Sequence, residues 1–224
     1  MKTVIYHLVI DESGSMYDDR KKTIASVNHQ LNTVRELVGI HEGAIKYLVA
    51  LTTFNGRVRH RYSPRRVTKI DSIQWEDYMP GGGTALLDAI GFSISKSKSH
   101  VVEAGYHASE IEVVMMILTD GYENSSVHYS RAKIAKKIRK LEGGGQWKFI
   151  FLGADIDCFD TIRDLNIKTC NTLEFSKSHF GEVDIILHNS LARYSEAVVC
   201  NKIVDDFFES SREINSDDEI LKIK

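Results

Sequence analysis

The chain has 224 residues, 42% of them hydrophobic, and 29 Lys and Arg against 31 Asp and Glu give a formal charge of −2. That length suits one α/β domain with a buried core and is short for two. The near balance of charge speaks against general nucleic-acid binding and against a polybasic membrane surface. No apolar run approaches the roughly 20 residues that span a bilayer. Cys158, Cys170 and Cys200 form no CxxC pair, which argues against zinc or redox chemistry and makes a reducing cytoplasm the default compartment.

In chain order, the apolar run 3–10 meets Asp11 and Glu12 with no small-residue cleavage site, so it reads as a buried strand and not a signal peptide. A helix is predicted over 23–38, then strands over 45–54 and 58–62. Phe54-Asn55-Gly56-Arg57 joins these two strands, and Asn-Gly predicts a type I′ hairpin turn, which makes 58–62 an antiparallel edge strand. A helix over 85–95 leads to a strand over 111–118, which is apolar on both faces and so fits the centre of a sheet covered by helices on each side. Further on come a helix over 130–141, a strand over 147–152, a helix over 158–165 and a strand over 169–175. The last predicted helix spans roughly 179–208, with Phe180, Val183, Leu187, Leu191, Tyr194 and Val198 on one stripe. The charged segment 209–224 is expected to be a flexible tail, leaving one domain over 1–208. The β–α alternation predicts an α/β fold: a doubly wound, mostly parallel six-stranded sheet with one antiparallel edge strand. Ligands then bind at the carboxyl ends of the strands.

Three segments place oxygen-bearing side chains where strands end or helices begin: Asp11-Glu12-Ser13-Gly14-Ser15, Gly81-Gly82-Gly83-Thr84 and Thr119-Asp120-Gly121. From them Asp11 and Asp120 offer two carboxylates and Ser13, Ser15 and Thr84 three hydroxyls, a hard-oxygen set that favours Mg²⁺, with Mn²⁺ as a substitute, over zinc or copper. Asp88 reads as a helix-turn or loop-supporting residue, and Glu123 and Asn124 as loop groups near the rim. The basic cluster Arg57, Arg59, His60, Arg61, Arg65, Arg66 and Lys69 offers a surface for acidic protein or nucleic acid, but the favoured reading is an edge strand protected from aggregation by charge.

The pattern Asp11-x-Ser13-x-Ser15, Thr84 after glycines and Thr119-Asp120-Gly121 resembles the metal-ion-dependent adhesion site of von Willebrand factor A-type (VWA) domains, over residues 3 to about 175. Asp120-Gly121-Tyr122-Glu123-Asn124 and Phe149-Ile150-Phe151-Leu152-Gly153-Ala154 further resemble stand-alone VWA proteins of bacteria and phages. The resemblance implies that Ser13, Ser15 and Thr84 touch a Mg²⁺ ion through their hydroxyls, and that Asp11 and Asp120 act mainly through water. It implies a binding module whose partner is a protein offering Asp or Glu to the metal, with no role for nucleic acid or membrane. The alternative is a Mg²⁺-dependent phosphohydrolase with Asp11 as nucleophile, but such an enzyme wants a second acid where Ser13 stands. A nucleotide site at Gly81–Thr84 lacks the lysine and spacing of a P-loop. The expectation is therefore a non-enzyme.

Overall fold

The computed structural model describes residues 1–156, 159–208 and 221–223. Seven strands form one sheet: β1 (Lys2–Asp11), β2 (Ile45–Phe54), β3 (Val58–Arg66), β4 (Ile111–Thr119), β5 (Trp147–Ala154), β6 (Thr172–Phe175) and β7 (Leu221–Ile223), in the order β3-β2-β1-β4-β5-β6-β7. The five central strands are parallel, and β3 is the antiparallel edge that the hairpin demanded. Helices α1 (Arg20–Ile40) and α5 (Phe180–Val199) cover one face. Helices α2 (Leu86–Glu103), α3 (Arg131–Glu142) and α4 (Phe159–Leu165) cover the other.

Alternation along β1 explains the two layers. Val4, Tyr6, Leu8 and Ile10 pack with Leu31 and Val34 of α1 and Leu187 and Leu191 of α5. Ile5 and Val9 pack with Ile90 and Ile94 of α2 and Ile134 of α3. Because both faces are covered, the central strands are mostly apolar on both, as parallel sheets require, with His7 of β1 and Thr52 of β2 as buried polar exceptions. Phe149 and Phe151 of β5 are fully buried core. Chain order reverses at β1: β2 lies on one side of it and β4 on the other. Their carboxyl ends define the switch point where doubly wound sheets bind ligands.

Several expectations need correction. The 54–58 connection is not a type I′ turn. Phe54 pairs with Val58, leaving three loop residues, and neither Asn55 nor Gly56 takes a positive φ. The Asn55 side chain holds the loop instead, with its Oδ1 accepting from Arg57 N at 3.0 Å. Strand β3 runs on to Arg66, past Pro64, which an edge strand tolerates. Residues 169–171 form a 3₁₀ turn, so β6 is shorter than predicted.

The last helix stops at Val199. Asn201 adopts φ 52°, a left-handed residue just past the helix end that terminates it. The chain then returns, and Phe207 and Phe208 join the core from outside the helix. Of the predicted tail, residues 209–220 and 224 lie outside the described residues. Residues 221–223 are not a free tail: they pair antiparallel with β6 and close its exposed edge. Cys158, predicted to open α4, also lies outside the described residues.

Candidate metal centre

The site is built from three loops that bond to one another. Strand β1 ends at Asp11, and the chain turns sharply there: Ser13 N donates to Asp11 Oδ1 (2.7 Å) and a 3₁₀ turn over Gly14–Met16 follows. Gly14 N donates to Gly82 O and Gly81 N to Glu12 O, both at 3.0 Å, which ties the first loop to the glycine loop. Gly82 takes φ +82°, a conformation open to glycine. A Cβ on Gly83 would lie 2.2 Å from Ser125 Oγ and 2.7 Å from Asn124 Oδ1, so a larger residue there would push aside the side chains of the third loop. That loop in turn holds Thr84: Asn124 Oδ1 accepts from Thr84 N (2.8 Å), and Asn124 N and Ser125 N donate to Thr84 O.

All five predicted residues come together. Ser13 and Ser15 share a hydroxyl contact of 3.1 Å, and Ser15 Oγ donates to Asp120 Oδ1 at 2.5 Å. Thr119 Oγ1 donates to Asp11 Oδ2 at 2.6 Å, linking the ends of β1 and β4. A Cβ placed on Gly121 would meet Thr84 Oγ1 at 3.2 Å, Ser15 Oγ at 3.7 Å and Asp11 Oδ2 at 3.9 Å. Oxygens from the first loop and the glycine loop thus meet beside Gly121 of the third, and Ser15 Oγ carries the contact on to Asp120. Burial raises the Asp11 pKa to about 6, with Asp120 adding to the rise and the bonds from Thr119 and Ser13 opposing it.

The surrounding residues are more organised than their sequence context suggests. Asp88 accepts from Val127 N, His128 N and Tyr129 N and anchors the third loop to α2. Glu123 is not a solvated loop group: its carboxylate accepts from Leu87 N at the start of α2 and from Ser125 N and Ser126 N.

Sequence reasoning missed three groups altogether. Glu12, the intervening residue of the first motif, is fully buried. It accepts from Arg59 (3.1 Å), Arg61 (3.2 Å) and Met79 N (2.6 Å). Arg59 and Arg61 therefore clamp the first loop, a role beyond edge protection. Tyr78 Oη donates to the Asp11 carbonyl. Lys177, from the β6–α5 link, places its ammonium 2.5 Å from Asp120 Oδ2 and 3.3 Å from Asp19 Oδ2. Burial works against charge on Lys177, but Asp120 and Asp19 outweigh it and hold its pKa above the ordinary value. Glu12 at least stands inside the first motif, next to Asp11 at the end of an apolar strand. Nothing in the motifs points to Lys177.

The donor set fits a hard divalent cation. Among the described residues no three His, Cys, Asp or Glu side chains are grouped to hold a metal on their own. An ion here must lean on the hydroxyls of Ser13, Ser15 and Thr84, and hydroxyl and carboxylate oxygens suit Mg²⁺ or Mn²⁺. The Lys177 ammonium on Asp120 is itself a stand-in cation, marking where positive charge is wanted.

A doubly wound α/β domain with an oxygen-lined cradle at its topological switch point defines a class of ligand-binding domain. The family model of the von Willebrand factor type A domain matches residues 7–181, and the chain belongs to that family. The fold is similar to a von Willebrand factor type A structure from Catenulispora acidiphila (16% identity over 85% of this chain and 42% of that one, TM-score 0.55). It is also similar to proximal thread matrix protein 1 from the mussel byssus, in a structure with a zinc-occupied MIDAS motif (14%, 85% and 46%, TM-score 0.55). A third likeness is to the vWF domain of the type V pili tip protein Mfa5 from Porphyromonas gingivalis (8%, 88% and 96%, TM-score 0.56). The chain spans less than half the length of the first two. At these identities the likeness speaks for the fold alone. No curated protein matches the chain. Among the described residues no helix is long and apolar enough to cross a membrane.

Proposed function

We propose that this domain is a Mg²⁺-dependent protein-binding module, an adaptor or scaffold of the stand-alone kind found in bacteria and phages, working in the cytoplasm. The observation that carries the reading is the convergence of Asp11, Ser13, Ser15, Thr84 and Asp120 on the cradle beside Gly121. Ser13, Ser15 and Thr84 would hold the ion through neutral hydroxyls, and Asp11 and Asp120 would complete its surroundings. Bound there, the ion supplies an electrophilic point for a carboxylate from another protein. The zinc in the mussel protein's MIDAS motif is consistent with a metal at this place in the fold.

The surface around the cradle supports a protein partner. Tyr17 of the first loop, Met79 ahead of the glycine loop and Tyr122 of the third loop are all more than half exposed, as is Trp75, and exposed large apolar side chains mark interaction sites. Two of them are held rigidly: the buried Arg20 guanidinium stacks 3.8 Å from the Trp75 ring and bonds Met79 Sδ. Turnover is disfavoured because both oxygens of Asp11 already accept hydrogen bonds, from Ser13 N and Thr119 Oγ1. Those bonds draw electron density from the carboxylate and lower its nucleophilicity.

The test is a titration of Mg²⁺ and Mn²⁺ into the purified protein, paired with partner capture in Mg²⁺ and in EDTA. Metal binding and capture that vanish together in Thr84→Ala are expected. Metal-dependent cleavage of p-nitrophenyl phosphate that disappears in Asp11→Ala would replace this reading with the phosphohydrolase.

A further inference from the structure

Lys177 does more than pair with one acid. Its ammonium touches Asp120 Oδ2 (2.5 Å), Asp19 Oδ2 (3.3 Å) and the Ser15 carbonyl (3.4 Å), so it contacts two of the five cradle residues. Both oxygens of Asp120 are thereby in contact, with Ser15 Oγ on the other one. The lysine is fixed at both ends. Its backbone N donates to Asp155 Oδ1 (3.1 Å), and its carbonyl accepts from Lys22 Nζ (3.1 Å). Lys22 also reaches Asp19 Oδ1 at 2.9 Å, so two lysines and an aspartate form a closed chain beside the cradle. With only 17% of its side chain exposed, Lys177 is partly shielded from solvent screening.

We propose that Lys177 is a built-in cation that competes with the divalent metal for Asp120 and so sets the affinity of the site. The proposal rests on the metal reading above. An ion drawing on Asp120 must either take that carboxylate from Lys177 or sit beside a fixed positive charge. Either way binding is weakened, because like charges a few ångströms apart in a partly buried site repel strongly. The ammonium offsets the charge of Asp120 and Asp19 with a single positive charge, which a doubly charged ion would have to overcome. A lysine that merely braced Asp120 for the metal would act in the opposite direction. Its removal would then loosen the carboxylate and weaken binding.

Calorimetric titration of Mg²⁺, repeated with Mn²⁺ followed by its electron spin resonance, separates the two signs. Lys177→Met should bind either ion at least about tenfold more tightly than wild type, the equivalent of about 1.4 kcal/mol. Lys177→Arg keeps the charge and should stay close to wild type. Metal-free Lys177→Met should melt below metal-free wild type, and saturating Mg²⁺ should close that gap. Lys177→Gln serves the same purpose if the methionine variant does not fold. If wild type binds metal and the neutral variants bind equally well or more weakly, the proposal is overturned while the metal reading stands. If neither wild type nor the neutral variants bind either ion, the metal reading itself falls and takes the proposal with it.

Discussion

Strand β1 carries two buried polar centres, His7 in its middle and Asp11 at its end, and they are resolved in opposite ways. His7 Nδ1 meets Ser97 Oγ at 2.8 Å and Nε2 meets Thr52 Oγ1 at 2.9 Å, and Thr52 passes the network on to His60 at 3.0 Å. Both ring nitrogens are used, the ring is fully buried, and no charge is left over. The Asp11 centre also mixes hydroxyls with an ionisable group. There, however, the local donors to Asp11 and Asp120 are neutral, and a lysine is drawn in from a distant segment to offset the negative charge. A buried polar cluster whose donors and acceptors balance is a piece of architecture. One left with negative charge at the switch point of the sheet is prepared for a cation.

The largest expected effect tests whether balance is the right criterion. Glu12 lies between Asp11 and Ser13, yet it belongs with His7: its charge is answered by Arg59, Arg61 and Met79 N. Glu12→Ala should leave two guanidinium groups without their acid and cost about 3 kcal/mol, the low end for a broken buried pair, because Arg59 is nearly half exposed. Urea melts in metal-free buffer would show it. A Glu12→Ala protein as stable as wild type would mean that neighbours of Asp11 cannot be sorted by charge balance.

The next effect sharpens the contrast from the other side. An ion that binds only the native state adds about 2.7 kcal/mol at 100 times its dissociation constant. Thermal melts should therefore rise with Mg²⁺ in wild type. They should rise equally in His7→Gln, whose centre takes no part, and not at all in Thr84→Ala. A rise that survives Thr84→Ala would put the ion somewhere other than the cradle.

How much of this was legible in the sequence follows the same division. The strands were readable because burial on both faces leaves runs such as Glu112-Val113-Val114-Met115-Met116-Ile117-Leu118 with almost no polar residues. The five cradle residues were readable because each sits within a turn of a strand end or helix start, where local sequence fixes position. Lys177 was not, since it reaches Asp120 across the sheet edge from a link with no motif of its own. Arg59 and Arg61 looked like edge charges because nothing local reveals that Glu12 is buried against them. The helix end at Val199 was not legible: the chain turns at Asn201, and Phe207 and Phe208 join the core from outside the helix. Local patterns report elements and their ends, while pairings between distant segments need the fold.

The smallest effect falls on the balanced centre and concerns protons. Burial, reinforced by His60, lowers the His7 pKa from 6.5 to about 3. His60 is itself lowered by burial and by Lys96 and Arg65, so the cations around the network all oppose protonation. Between those two values the unfolded chain binds a proton that the native state refuses. The contribution of neutral His7 is therefore complete above about pH 6.5 and is lost as pH falls toward 3. The slope approaches about 1.4 kcal/mol per pH unit for a single site. Asp11, Glu112 and Asp184, whose pKa values burial raises, bend the total profile the other way, so the diagnostic quantity is a difference. Unfolding free energies of wild type and His7→Gln, measured from pH 7 down to pH 5 in EDTA, should converge as pH falls, because only wild type loses the histidine contribution. Parallel curves would show that His7 accepts its proton in the native state as readily as in the unfolded one. The network would then have a free acceptor for that charge, and the contrast with Asp11 would no longer rest on balance.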